Sequence, residues 1–267
     1  RPDRPRGRGR RVQPPPVAER AALLGIETIQ PGDVNGDEAR AAIAAAEPEA
    51  VLICAYGALL KEPLLSEHEM LNVHPSLLPR WRGAAPIERA IEAGDEVTGV
   101  SIMRPTAEFD AGPVCLQRSE AIRPHDDYGS LAPRLAALGG ELLVEALDTR
   151  PPFREQPEHG VTYAEKIEPE DRRLDCALRA DELERRLRAL TPHLGAYLEL
   201  DTGERLGVRR AALAQGVDDI APGSLAARDS RLLYGAAQGA LELLEVHPAG
   251  KRPMAAADWL RGHKRIP

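Results

Sequence analysis

Asn72 and His74 stand two residues apart in "MLNVHP", and Asp110 lies in the turn "EFDAGP". On a strand, side chains two apart share one face. The amide and the imidazole therefore point the same way, and Pro75 ends strand pairing just beyond them. An amide, an imidazole and a carboxylate together suit acyl transfer. The Asn72 amide can donate to an oxygen that gains charge, His74 can move a proton, and Asp110 can orient the imidazole or receive a proton through water. No Ser, Cys or Lys nucleophile is required. The set suits direct attack by a substrate amine, whose ordinary pKa of about 8 leaves a usable neutral fraction near neutral pH. Each residue also has a plainer use: His74 as a structural strand end, Asn72 in a turn, Asp110 as a loop cap. Arg80, Trp81 and Arg82 read equally as a surface stack of cations on an aromatic ring.

The elements that must position these groups alternate between helix and strand. Residues 17–24 have helical spacing, "IETIQ" reads as a short strand, and "GDEARAAIAAAE" reads as a helix with Asn35 or Asp37 as its cap. "AVLICAY" is a continuous apolar run, expected of a strand buried on both faces. "MLNVH", "TGVSIMRP" and "PVCLQRSEAI" read as further strands, with a helix ending at Gly94 and a long one over 127–147. This order predicts an α/β fold with a Rossmann-like, doubly wound, mostly parallel sheet, whose ligands bind beyond the strands' carboxyl ends. Such a domain normally opens with a strand and a crossover helix. The chain begins after that point, so a first strand and helix of roughly 30 residues are expected to be missing. "TRPPFREQPEHG" has the composition of a connector, a helix is expected at about 180–190, and five short strands separated by Gly and Asp turns follow. The expected organisation is a catalytic domain over 1–152, a linker over 153–172 and a small OB-like β-barrel over 173–267.

With aromatic residues at only 3%, the core must be built from Leu, Ala, Val and Ile. No apolar run reaches the roughly 18 residues of a membrane span, and no apolar leader opens the sequence. Cys54, Cys115 and Cys176 are widely separated, and neither they nor the histidines have metal-ligand spacing. No metal is expected, and a cytoplasmic setting is. The net charge of -7 argues against a generic nucleic-acid binder. Its distribution says more. Residues 1–11 carry six arginines against Asp3, and residues 251–267 carry five cations against Asp258. Basic charge sits at both ends of an acidic body, and a polyanion could bind where the ends meet.

"LNVHPSLLPRWRGAAPIERAIEAGDEVTGVSIM" followed by "FDAGPV" resembles the folate-dependent formyltransferases, which share an Asn, a His two residues on, a "SLLP" loop and a later Asp-x-Gly. The opening "RPDRPRGRGR", "GVTYAEKI", "LTPHLGAY" and "PAGKRPMAAADWLRG" resemble, more narrowly, the family acting on methionyl-tRNA. The resemblance covers nearly the whole chain, in order. It implies 10-formyltetrahydrofolate as donor and the α-amino group of initiator methionyl-tRNA as acceptor, with Asn72, His74 and Asp110 as the catalytic trio. It implies that Ser76, Leu77, Leu78 and Pro79 line the folate pocket. It makes the basic loop bearing Arg4, Arg6, Arg8, Arg10 and Arg11 a grip on the tRNA acceptor arm, with Arg8 the best direct contact, and adds Lys251 and Arg252 from a basic C-terminal face. A monomer is expected. Where the family has glycine and an aliphatic residue before the Asp, this chain has Glu108 and Phe109, which adds a second carboxylate near Asp110. Two other readings fit the same residues: a formyltransferase for a sugar nucleotide or small amine, and a non-catalytic RNA-binding protein on this fold.

Overall fold

The computed structural model describes residues 2–6, 11–200, 202–263 and 266. It opens with β1 (Arg4–Arg6) and β2 (Arg11–Gln13), an antiparallel hairpin, followed by α1 (Pro16–Leu23) and α2 (Asp37–Ala45). The first main body continues with β3 (Val51–Cys54), α3 (Leu64–Glu67), β4 (Met70–His74), β5 (Arg82–Gly83), α4 (Pro86–Ala93), β6 (Val97–Met103), β7 (Val114–Ala121) and α5 (Tyr128–Thr149). After β8 (Tyr163–Ala164) come α6 (Ala180–Leu190), β9 (Ala196–Glu199), β10 (Arg205–Leu213), β11 (Leu225–Arg228), β12 (Arg231–Gly235), β13 (Ala240–Pro248), β14 (Met254–Ala255) and α7 (Ala256–Arg261).

The first sheet has the order β3-β4-β6-β7. Only β3 and β4 run parallel; β4 with β6 and β6 with β7 are antiparallel. The sheet is thus mixed rather than mostly parallel among the described residues: β6 runs against β4 although α4 lies between them, and β7 turns straight back along β6. "IETIQ" forms no strand among the described residues, and Ile26 and Ile29 stay exposed rather than packing on the sheet. The cap of α2 is Gly36 rather than Asn35 or Asp37. The Asn35 side chain instead donates to Leu59 O and accepts from Lys61 N. Strand β3 is not buried on both faces. It lies at the sheet edge with alternating exposure, and Leu52 is 45% exposed.

Helix α5 crosses this sheet. Leu131, Leu135, Leu142 and Ala146 share a core with Leu71, Val100 and Ile102. A Cβ on Gly139 would lie 2.8 Å from Val73 Cγ1, so glycine lets the helix approach the strand that carries Asn72 and His74.

The second sheet runs β11-β12-β13-β10-β9, with β14 beside β13, all antiparallel. Among the described residues β9 and β11 do not pair, so the second body is a C-terminal β domain built on an open sheet. Helices cover it instead: Leu183, Leu187 and Leu190 of α6 and Trp259 of α7 pack with Leu198, Val208, Leu232, Leu241 and Val246. No helix among the described residues is long and apolar enough to cross a membrane.

The start of α5 ties the two bodies together. Asp127 caps the helix by accepting from Ser130 N. The buried Asp126 carboxylate accepts two bonds from Arg134, one from Ser130 Oγ and one from Arg123 N, while its carbonyl accepts from Arg188 of α6. The Arg134 guanidinium holds the Asp126 carboxyl far below the usual carboxylate range. A depressed folded pKa contributes stability above the unfolded value, and that contribution is lost as pH falls through the folded one. Asp126→Asn is therefore expected to cost about 3 kcal/mol at pH 7. In urea titrations at several pH values, the gap to the parent should stay full above about pH 5 and narrow below about pH 4. A gap independent of pH down to the acid limit would contradict the assignment.

Candidate active site

Strand β4 delivers Asn72 and His74 to its carboxyl end, and the turn after β6 brings Asp110 to meet them. Asn72 Nδ2 lies 3.4 Å from Asp110 Oδ1, and His74 Nδ1 lies 3.5 Å from Asp110 Oδ2. The Asp110 carboxylate also accepts from Gly83 N at 2.9 Å. Amide, imidazole and carboxylate, read from spacing alone, do converge. His74 is 4% exposed, whereas Asn72 and Asp110 are half-buried.

The imidazole's tautomer follows from its other contact. His74 Nε2 lies 2.8 Å from Trp81 O. A carbonyl oxygen only accepts, so Nε2 carries the hydrogen. In the neutral ring Nδ1 is then the lone-pair nitrogen, and it faces the Asp110 carboxylate. A proton arriving between them would be shared by an imidazole and a carboxylate already set for it.

Trp81 must present its carbonyl inward, and it does so with φ at 63°. Three contacts hold it there. Its amide donates to Thr162 Oγ1 at 2.9 Å, and its indole Nε1 donates to Asp95 Oδ2 at 2.8 Å. Arg80 stacks 4.3 Å from the ring centroid and also donates twice to Asp95. That carboxylate raises the pKa of Arg80. The Arg80–Trp81 pair is a stack, as the plain reading expected, but it also aims the carbonyl that accepts from the His74 imidazole.

The "SLLP" loop is pinned from beneath. Ser101, fully buried on β6, donates from Oγ to Ser76 O and accepts from Leu78 N and from Gln117 Nε2. Its hydroxyl capacity is thereby filled. Gln117 also donates to Leu78 O, and Ser76 Oγ donates to Arg80 O. The polar groups of Ser76 and Leu78 thus serve the loop itself. Leu77 packs where a side chain on Gly99 would sit, 2.6 Å from Cδ2. Leu78 borders a cavity of about 440 Å³ together with Gln117, Cys115 and Gln156. Burial pushes the Cys115 thiol up.

Glu108 is exposed, its carbonyl accepts from Thr106, and Phe109 is 64% exposed. Arg4 and Arg11 are exposed on the β1–β2 hairpin, and Lys251 and Arg252 on the turn before β14. Arg8 and Arg10, and the side chain of Arg6, lie outside the described residues. Among the described residues no cluster of His, Cys, Asp and Glu has the geometry of a metal site. Spacing did not reveal Gly83, Asp95, Ser101, Gln117, Gln156 or Thr162. Only Ser101 left a signal, as a hydroxyl inside the otherwise apolar "GVSIM".

The family model described as formyl transferase matches residues 1–147, and its C-terminal domain counterpart matches residues 166–264. A methionyl-tRNA formyltransferase from Methylococcus capsulatus is 44% identical over 268 residues, covering 98% of this chain and 87% of that protein. The chain belongs to the methionyl-tRNA formyltransferase family. The fold of this formyltransferase is shared more widely. HypX from Aquifex aeolicus, solved with tetrahydrofolic acid, superposes with a TM-score of 0.63 at 21% identity, covering 85% of this chain and 41% of that one. A likely sugar N-formyltransferase from Mycobacterium tuberculosis gives 0.58 at 27% identity, covering 73% and 90%.

Gly83 joins the Asp110 carboxylate to the strand pairing of β5 with β8. Its φ is 119°, and a Cβ there would lie 2.8 Å from Ala164 O. Gly83→Ala should destabilise the fold by about 1–3 kcal/mol through backbone strain and withdraw the N–H that Asp110 accepts. Formyl transfer should fall by more than the loss of folded protein explains. Thermal unfolding and turnover measured on the same preparation check this, and parent-like turnover would contradict it.

Proposed function

We propose that this chain transfers the formyl group of 10-formyltetrahydrofolate to the α-amino group of initiator methionyl-tRNA. The observation that carries the reading is the meeting of Asn72, His74 and Asp110 at one strand end, where the described residues bonded to their side chains are Trp81 and Gly83, through backbone atoms, and no side-chain nucleophile. Such a set fits a formyl group that arrives already activated on a folate-type carrier and is taken directly by an amine. Near-complete coverage by relatives named methionyl-tRNA formyltransferase supports the acceptor.

In this reading the neutral amine attacks the formyl carbon. The Asn72 amide donates to the oxygen as it gains charge. His74 Nδ1, which faces Asp110 Oδ2 while the ring's far nitrogen bonds Trp81 O, receives the amine proton. Collapse of the tetrahedral intermediate breaks the carbon–nitrogen bond to the folate, and a proton returns to the nitrogen that leaves. Trp81 O keeps the imidazole in the one tautomer that leaves Nδ1 free to accept. Ser76 to Pro79 form one wall of the donor site. Residues 1–152 carry the chemistry, 153–172 connect, and 173–267 hold the tRNA. Arg4, Arg6, Arg8, Arg10 and Arg11 grip the acceptor arm, and Lys251 and Arg252 extend the basic surface. Phosphate neutralisation by these cations makes binding salt-sensitive. The enzyme works as a cytoplasmic monomer.

The test is formyl transfer from the folate to charged initiator tRNA, run beside binding of uncharged tRNA. His74→Ala should lower turnover by at least about 100-fold, with tRNA affinity nearly intact; unchanged turnover would discredit the trio. Arg8→Ala should weaken tRNA binding and reduce the salt slope by about one unit. An unaltered slope would show that the loop is not a tRNA grip.

A further inference from the structure

The connector between the two bodies has the composition of a passive linker, yet it reaches into the catalytic centre. Gln156 Nε2 donates to Asp110 O at 2.7 Å and to Gly112 O at 2.8 Å. Gln156 Oε1 accepts from Arg82 Nε at 3.0 Å and from Arg82 Nη2 at 2.8 Å. All four hydrogen-bonding positions of one carboxamide are filled, and the amide has a single orientation. Turned over, it would set its NH2 group against guanidinium donors and its oxygen against two carbonyls.

We propose that Gln156 is a positioning residue for the catalytic carboxylate, joining the connector to the Asp110 loop so that formyl transfer depends on the connector being docked. The proposal rests on the reading that Asp110 takes part in the reaction. Asp110 has φ at 48°, a left-handed conformation that Asp tolerates at some cost. Gly112 leaves that loop no slack, since a Cβ there would lie 2.0 Å from Arg104 O. Across the site, Arg82 and Gly83 form β5, which pairs with Tyr163 and Ala164 of the connector. Gly83 N then donates to Asp110 Oδ2. The carboxylate therefore sits between two backbone segments, and Gln156 spans the gap between them.

The task needs a neutral group with two donors on one side and an acceptor on the other. Glutamate would keep an acceptor for Arg82 but oppose the carbonyls of Asp110 and Gly112 with a charged oxygen. An apolar residue would leave two carbonyls unpartnered and release the guanidinium. Only the width of one carboxamide separates that guanidinium from the Asp110 loop. Freed, it would compete with His74 for the Asp110 carboxylate. A second connector contact acts on the other partner: Thr162 Oγ1 accepts from Trp81 N, whose carbonyl accepts from His74 Nε2. Imidazole and carboxylate are each steadied by the same short stretch of chain.

The full-length protein and its Gln156→Ala and Gln156→Glu variants are compared in formyl transfer from 10-formyltetrahydrofolate to charged initiator tRNA. Displacing a reacting group by about an ångström is expected to cost about 100-fold in kcat, with KM for donor and for tRNA little changed. The pH dependence of kcat should change as well, because the partner of His74 has moved. Gln156→Glu should lose at least as much, although it keeps the acceptor for Arg82. Thr162→Val should lose about tenfold, smaller because the Asp95 contacts still hold Trp81. Parent-like kcat in Gln156→Ala would overturn the proposal. So would a loss that matches the loss of folded protein while the pH profile stays unchanged, since that describes a structural residue only. The nuclear magnetic resonance signals of the His74 ring nitrogens give a readout independent of substrate. They should move in Gln156→Ala. If the parent enzyme fails to formylate the tRNA while those signals still move, the reading of the substrate fails and the positioning role stands.

Discussion

A carboxylate and an imidazole placed 3.5 Å apart are useful only if neither finds a better partner. Arg82 is bonded to the same Gln156 carboxamide that holds the Asp110 carbonyl, and Trp81 O lies within hydrogen-bond reach of His74. The structure gives each of them fixed partners on its other side. Trp81 O takes the Nε2 hydrogen of His74, Gly83 N takes one oxygen of Asp110, and Asn72 faces the other. What remains uncommitted is the space between Nδ1 and Oδ2, where a proton can be received. In a partly buried site, where the effective dielectric is low, this prior commitment does more than any single contact strength.

That commitment has a structural cost. Trp81, Gly83 and Asp110 all adopt positive φ, the first and last without the freedom of glycine. Such backbone is kept only where its surroundings over-determine it. The loop from Ser76 to Gly83 is held by Ser101 and Gln117 from the sheet below, by Asp95 from the end of α4, and by Gln156, Thr162 and Ala164 from the connector. Polar side chains that elsewhere would face water are turned inward to fix a backbone path.

The second body is docked by charge as well as by packing. Arg186 and Arg185 of α6 bond to the Glu92 carboxylate and carbonyl on α4, Arg89 reaches Asp171, and His193 meets Glu88 while stacking on Tyr128. Arg188 caps the contact at Asp126 O. Several of these guanidiniums also bond within their own element, Arg185 to Asp181, Arg188 to Glu184 and Arg89 to Glu92, which fixes their directions across the junction. The connector is stretched across the same junction, which is why its residues can act on the site at all.

The sequence by itself determined much of this. Period-two alternation and the Pro75 stop placed Asn72 and His74 on one face of a strand end, and a strand-turn pattern placed Asp110 at a loop. Those are local properties, readable because backbone geometry repeats every two residues in a strand. Apolar spacing likewise marked α5 and α6. The direction of β6, the edge position of β3, the failure of "IETIQ" to pair and the open second sheet depended on which strands become neighbours, and no local pattern encodes that choice. The same holds for Gln156, Thr162 and Asp95. Their types are ordinary for a loop, and their roles arise only when segments 46 to 81 residues apart, or an Asp 14 residues along, close around one backbone. A hydrogen bond between distant segments leaves no periodicity in the chain, so tertiary structure alone decided what holds the trio in place.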